Sequence, residues 1–110
     1  MKIDELVKNV NFHDSNVIEL LFEGDKVRVT IDLCMWKQSE YKEGEDEIKN
    51  TILEFDKVTD YVWDSEKMEL EIDYDTILEM SYQDEILKMV LYDEEVSIIT
   101  FKSENVTIIH

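Results

Sequence analysis

A two-residue loop, Gly24-Asp25, sits between two runs whose apolar residues alternate in phase, and it constrains the chain more than anything else in it. Glycine at the first of two loop positions suits a type II′ turn, whose first central residue needs a positive φ. Pairing Glu23 with Lys26 then sets Phe22 opposite Val27, Leu20 opposite Val29 and Ile18 opposite Ile31. Those six share one face. The other receives Glu19, Glu23, Lys26, Arg28, Thr30 and Asp32, with Leu21 as the exception. Because side chains alternate with a period of two, slipping the register by one would move every apolar residue to the wet face. The register is therefore written into the sequence.

Similar patterns recur along the chain. Lys67–Tyr74 alternates cleanly, with Met68, Leu70, Ile72 and Tyr74 on one face and acids on the other. Thr51–Phe55 and Val58–Trp63 are short and apolar enough for strands, and Ile77–Tyr82 is open to a strand or a helical turn. Glu85–Tyr92 and Glu95–Lys102 form a second expected hairpin about Asp93-Glu94, and Val106–Ile109 a terminal strand. Before the first hairpin, Ile3, Leu6, Val7 and Val10 recur at helical spacing, with Asp4 as the expected cap and Asn9 and Asn11 at the end. Ser39–Asn50 is polar, centred on Gly44, and reads as a long exposed loop. No internal repeat stands out. The expected architecture is mainly β, a twisted antiparallel sheet curling into a sandwich or half-barrel with a short N-terminal helix, in one domain over residues 1–110.

Charge bounds the partners. Eleven basic residues face 28 acidic ones, a formal net charge of −17. The excess is concentrated: residues 43–95 hold 19 acids against Lys49, Lys57, Lys67 and Lys88. Such a field repels nucleic acid and anionic membrane and attracts basic proteins. With 44% hydrophobic residues spread along its length, the chain is no disordered acidic tail. Alanine and proline are absent and arginine occurs once, a bias that AT-rich bacterial coding favours. One cysteine, no apolar run of membrane-spanning length and an N-terminus without a signal-like stretch lead to a cytoplasmic, reduced expectation.

Motifs for chemistry are sparse. His13-Asp14 suggests a metal, but the only other histidine is His110, and the pair falls where helix gives way to strand, where such residues hold backbone amides. Glu69, Glu71 and Asp73 lie on one strand face, yet no glycine-shaped loop of the kind that holds a hard cation accompanies them. Cys34 has only Lys37 near it in sequence to activate a thiolate. No catalytic residue, cofactor or metal is therefore expected. Tyrosines and tryptophans beside carboxylates, in contrast, suit the gripping of a lysine- and arginine-rich surface. The expected partner-binding residues are Trp63, Glu69, Glu71, Asp73 and Tyr74, with the Ser39–Asn50 loop contributing.

Phe12-His13-Asp14-Ser15 running into an apolar hairpin, Leu53-Glu54-Phe55-Asp56-Lys57-Val58 after a long loop, Glu85-Ile86-Leu87, and Ile99-Thr100-Phe101-Lys102-Ser103-Glu104-Asn105-Val106 near the end form a familiar order. It resembles a group of small β-rich bacterial domains that open with a Phe-His-Asp-Ser/Ala motif, some of which look like immunity proteins of polymorphic toxin systems. The resemblance implies an acidic protein-binding domain that neutralises a basic toxin by covering it. It supplies no catalytic residue. A nucleic-acid mimic and a small enzyme with an unfamiliar site are the alternatives, and self-association is left open.

Overall fold

In the computed structural model, which describes residues 1–65 and 75–109, the chain runs through α1 (Ile3–Asn9), β1 (Asn16–Glu23), β2 (Lys26–Cys34) and a 3-10 turn (Met35–Lys37). It continues with β3 (Ile48–Phe55), β4 (Thr59–Ser65), β5 (Asp75–Gln83), β6 (Ile86–Asp93), β7 (Glu95–Lys102) and β8 (Val106–Ile109). The eight strands form one open antiparallel sheet in the order β4-β7-β6-β5-β1-β2-β3-β8. The expected strand over Lys67–Tyr74 lies outside the described residues.

The sheet curls until its two halves face each other. Four strands separate β3 from β7 in the sheet, yet the rings of Phe55 and Phe101 meet edge-on with centroids 5.1 Å apart. Tyr61 of β4 stacks over Phe101 and leans on Phe22 of β1 at 4.8 Å. The space between the halves holds the core, including Val27, Val29 and Ile31 from β2, Leu53 from β3, and Leu87, Met89 and Leu91 from β6, all fully buried. Burial at every second residue along β2 and β6 is what an antiparallel strand with one wet face shows.

The first hairpin pairs as its alternation requires, Glu23 with Lys26, Phe22 with Val27 and Leu20 with Val29. Gly24 has φ +62°. Two details differ from expectation. Ile18 is skipped by a bulge, so fully buried Val17, not Ile18, pairs with Ile31. Leu20 is half-buried and Phe22 is 52% exposed, because both lie toward the open tip of the hairpin. Leu21 faces outward, as the register demands.

The hairpin expected about Asp93-Glu94 joins β6 and β7, and the β5–β6 hairpin before it repeats the first. Thr76–Tyr92, Ile77–Leu91, Met80–Met89 and Tyr82–Leu87 reproduce, sixty positions later, the pairs Asn16–Asp32, Val17–Ile31, Leu20–Val29 and Phe22–Val27. The bulge recurs at Leu78. The third strands correspond too, since Phe55 pairs with Val27 as Phe101 pairs with Leu87. The two halves join where Asn16 pairs with its own counterpart, Thr76. No repeat is visible in the sequence, because between residues 16–31 and 76–91 only Glu19 and Glu79 carry the same residue. Pattern is shared, identity is not.

The helix is present as expected, burying Ile3 and Leu6 and ending at Asn9. Asp4 is not its cap. Lys2 occupies the cap position without a side-chain bond, and Asp4 falls in the first turn, where a carboxylate still favours the unpaired amides. The polar loop is shorter than expected because β3 begins at Ile48. Ile77–Tyr82 is strand throughout.

Candidate functional site

The Phe-His-Asp-Ser corner is chiefly a structural joint. Phe12 and Ser15 are buried, and His13 and Asp14 between them are exposed. The Ser15 hydroxyl accepts the Cys34 amide at 2.9 Å, extending the β1–β2 ladder past its last paired residues, Asn16 and Asp32. The Ser15 amide donates to Phe12 O at 3.0 Å, and the Ile77 amide donates to Ser15 O at 2.8 Å. Asp14 sits at φ +69°, a conformation aspartate tolerates better than most residues, and its amide reaches Ile77 O at 3.0 Å. The corner thus ties β1, β2 and β5 together.

On the outer side of that joint, the Asp14 carboxylate takes Lys37 Nζ at 3.3 Å and His13 Nδ1 at 3.2 Å. The hydrogen bond from Lys37 holds the carboxyl below its ordinary range, with His13 adding to the effect and partial desolvation opposing it. No group of three or more histidine, cysteine or carboxylate side chains placed to hold a metal occurs among the described residues. Cys34 is buried, its Sγ directed at Asp14 O at 3.2 Å. It behaves as a small core residue.

Gln38 braces the next stretch. Its Oε1 accepts the Asn11 amide at 3.0 Å, while its Nε2 donates to Asn11 O at 2.7 Å and to Cys34 O at 2.9 Å. One carboxamide therefore pins the segment after α1 to the end of β2. Two grooves flank this brace and share Asn9, Val10, Gln38 and Ser39 as walls.

The larger groove encloses about 990 Å³. Val10, Leu33, Met35 and Tyr41 give it an apolar lining, with Glu40, Lys42 and Glu45 around them. The loop that carries the rim continues through Glu43, Asp46 and Glu47, all exposed. None of these five acids makes an ion pair among the described residues. The loop holds itself in place through backbone turns, Tyr41 N to Gln38 O at 3.1 Å and Glu45 N to Lys42 O at 3.1 Å, so the carboxylates stay free for solvent or a partner. The smaller groove, of about 470 Å³, has a different lining: Lys8, Asn11, His13 and Lys37 over Val7 and Met80, with Glu79 at its border.

Of the residues expected to meet a partner, only Trp63 is described. It lies on β4 opposite Ile99, half-buried against the core. Its indole Nε1 is buried without a hydrogen-bond partner among the described residues, as is the Tyr61 hydroxyl, whose pKa burial pushes up. Glu69, Glu71, Asp73 and Tyr74 lie outside the described residues. The loop, named as a contributor, is the part of the expected surface that the structure builds into a groove. Nothing in the local sequence announces that groove. Its wall depends on Gln38 reaching Asn11 across 27 positions, and neither residue belongs to a pattern.

No helix among the described residues is long and apolar enough to cross a membrane. No family model matches the sequence, and no curated protein matches it. Among solved structures, the chain is similar to an uncharacterized protein from Neisseria gonorrhoeae, at 11% identity and a TM-score of 0.47, covering 89% of this chain and 92% of that one.

Proposed function

We propose that this domain works by binding a basic protein, and that the groove between the end of α1 and the loop of residues 38–47 is its principal contact. The observation that carries this reading is one groove lined by Val10, Leu33, Met35 and Tyr41 together with Glu40 and Glu45, carboxylates that make no ion pair among the described residues, and with Lys42 as its one cation. A lysine or arginine side chain has the same division, an aliphatic stem and a charged head. Laid in the groove, its stem would bury on Met35 and Val10, its cation would lie near the Tyr41 ring, and the rim would neutralise it. A net charge of −17 would speed the encounter, and the apolar lining would set the lifetime of the complex.

The resemblance to immunity-like domains makes a toxin the natural class of partner. Glu69, Glu71, Asp73, Tyr74 and the exposed part of Trp63 remain a second contact surface in this proposal. The test is to purify the tagged domain from its host with any neighbouring toxin gene expressed, and to identify what is retained. Recovery of a basic protein that is lost with Glu40→Lys/Glu45→Lys supports the groove. Loss only with Glu69→Lys/Glu71→Lys moves the contact to the second surface. If no protein is retained and the pure domain turns over a small molecule, the binding reading is wrong.

A further inference from the structure

The smaller groove is an anomaly in so acidic a chain. Its lining draws on Lys8, His13 and Lys37, with Glu79 as the one carboxylate. Three of these four groups are already engaged: Asp14 holds His13 and Lys37, and Lys88 reaches Glu79 at 3.6 Å. Lys8 is left, with no ion pair among the described residues. It stands in the last turn of α1, where its charge also complements the helix's terminal carbonyls. Around it one neutral side chain, Asn11, offers a donor. The Asn11 side-chain oxygen accepts from the His13 backbone amide at 3.0 Å, which leaves the side-chain nitrogen as its donor group. When Asp14 accepts from Nδ1 of neutral His13, Nε2 is left as an acceptor, so the ring offers a carboxylate no second donor.

This groove adjoins the acid-rimmed one across the Gln38 brace, with Asn9, Val10 and Ser39 common to both. The carboxamide is locked by three hydrogen bonds, so the spacing between the grooves is fixed before anything binds. Preformed spacing of this kind lowers the ordering cost of a segment that spans both.

We infer that the partner segment is dipolar, with a lysine or arginine in the larger groove and a carboxylate-bearing residue laid across Gln38 into the smaller groove beside Lys8. The inference deepens the proposed function and rests on it. It also makes a demand opposite to the one net charge makes. Against a surface that simply collects cations, adding carboxylates to a ligand weakens binding. Against this surface, carboxylates at one end tighten it.

Two labelled peptides test this by fluorescence anisotropy at low ionic strength on the full chain: one rich in arginine, and the same peptide extended by two aspartates at one end. The extended peptide is expected to bind about three- to five-fold more tightly, the size of one or two exposed ion pairs. Lys8→Glu should reverse that gain while leaving the arginine peptide's affinity within about two-fold, and Lys8→Gln should cancel the gain without reversing it. Lys8 is exposed, so both variants should melt as wild type does. If the aspartates weaken binding in wild type, or if the gain survives Lys8→Glu, the dipolar inference falls and the basic-partner reading stands. If neither peptide binds, both fall.

Discussion

Removing one hydroxyl at the Phe-His-Asp-Ser corner tests whether that motif is a joint or a site. Ser15 is fully buried, and its oxygen is the acceptor for the amide of Cys34 at 2.9 Å. Ser15→Ala leaves that amide inside the fold with no acceptor, and the hydroxyl it deletes is too small for the cavity to admit water easily. An orphaned buried donor costs about 1–3 kcal/mol. For a domain of this length each kcal/mol moves the melting temperature by about 4 °C, so the expected fall is about 4–12 °C. Urea unfolding followed by tryptophan fluorescence and far-ultraviolet circular dichroism gives the same difference independently, provided the two transitions coincide. His13→Ala is the control. Its side chain is 54% exposed and its ion pair is with exposed Asp14, so it should change stability by less than about 0.5 kcal/mol. If Ser15→Ala melts with the wild type, or if His13→Ala is the more damaging change, the corner is not the joint described.

Other expectations follow from particular contacts. Asp14 and Glu54 both have carboxyls held below their ordinary pKa, the first mainly by the hydrogen bond from Lys37 and the second by the one from Arg28. A lowered folded pKa gives stability above the unfolded value that is lost as pH falls through the folded one. The melting temperature should therefore hold or rise from pH 7 to 5.5, as repulsion among the other acids eases, and fall below about pH 4.5; Asp14→Asn with Glu54→Gln should flatten that acid limb. Glu85 has φ +64° in the two-residue turn between β5 and β6, and Asp84 before it has φ +54°. Glycine prefers that geometry, so Glu85→Gly should stabilise the domain by about 0.5–1 kcal/mol in urea melts after its entropy cost is deducted. Phe101→Ala should cost about 3–5 kcal/mol, and pairing it with Phe55→Ala should show coupling, since those rings close the curl of the sheet.

Much of this fold could be read from alternation, and the failures share a cause. Where strands alternate without interruption, as in Lys26–Cys34 and Val106–Ile109, pattern and structure agree. At Ile18 and Leu78 a bulge inserts one residue, so the inward positions run Val17, Leu20, Phe22 and Ile77, Met80, Tyr82. A step of three followed by a step of two mimics a helical face, which is why Ile77–Tyr82 could be read either way and Ile18 took the place of Val17. The candidate site was less legible. Its charge is plain from composition, but the sequence points first to Trp63, Glu69, Glu71, Asp73 and Tyr74 and to the Ser39–Asn50 loop only as a contributor. Its shape is not plain, because the walls come from Val10, Leu33, Gln38 and Tyr41, drawn from a helix end, a strand end and a loop. Only the folded chain brings them together.

The central claim is that a basic segment binds in the groove between α1 and the loop after the 3-10 turn, and amide chemical-shift mapping tests it most directly. The isotopically labelled domain would be titrated with an arginine-rich peptide at low salt and again at high salt. The account predicts saturable shifts concentrated at Val10, Met35, Gln38, Tyr41 and Glu45, weakened by salt and abolished by Glu40→Lys/Glu45→Lys. Shifts that scatter over all the exposed acids, or that leave the groove untouched while β6 and β7 respond, would contradict it.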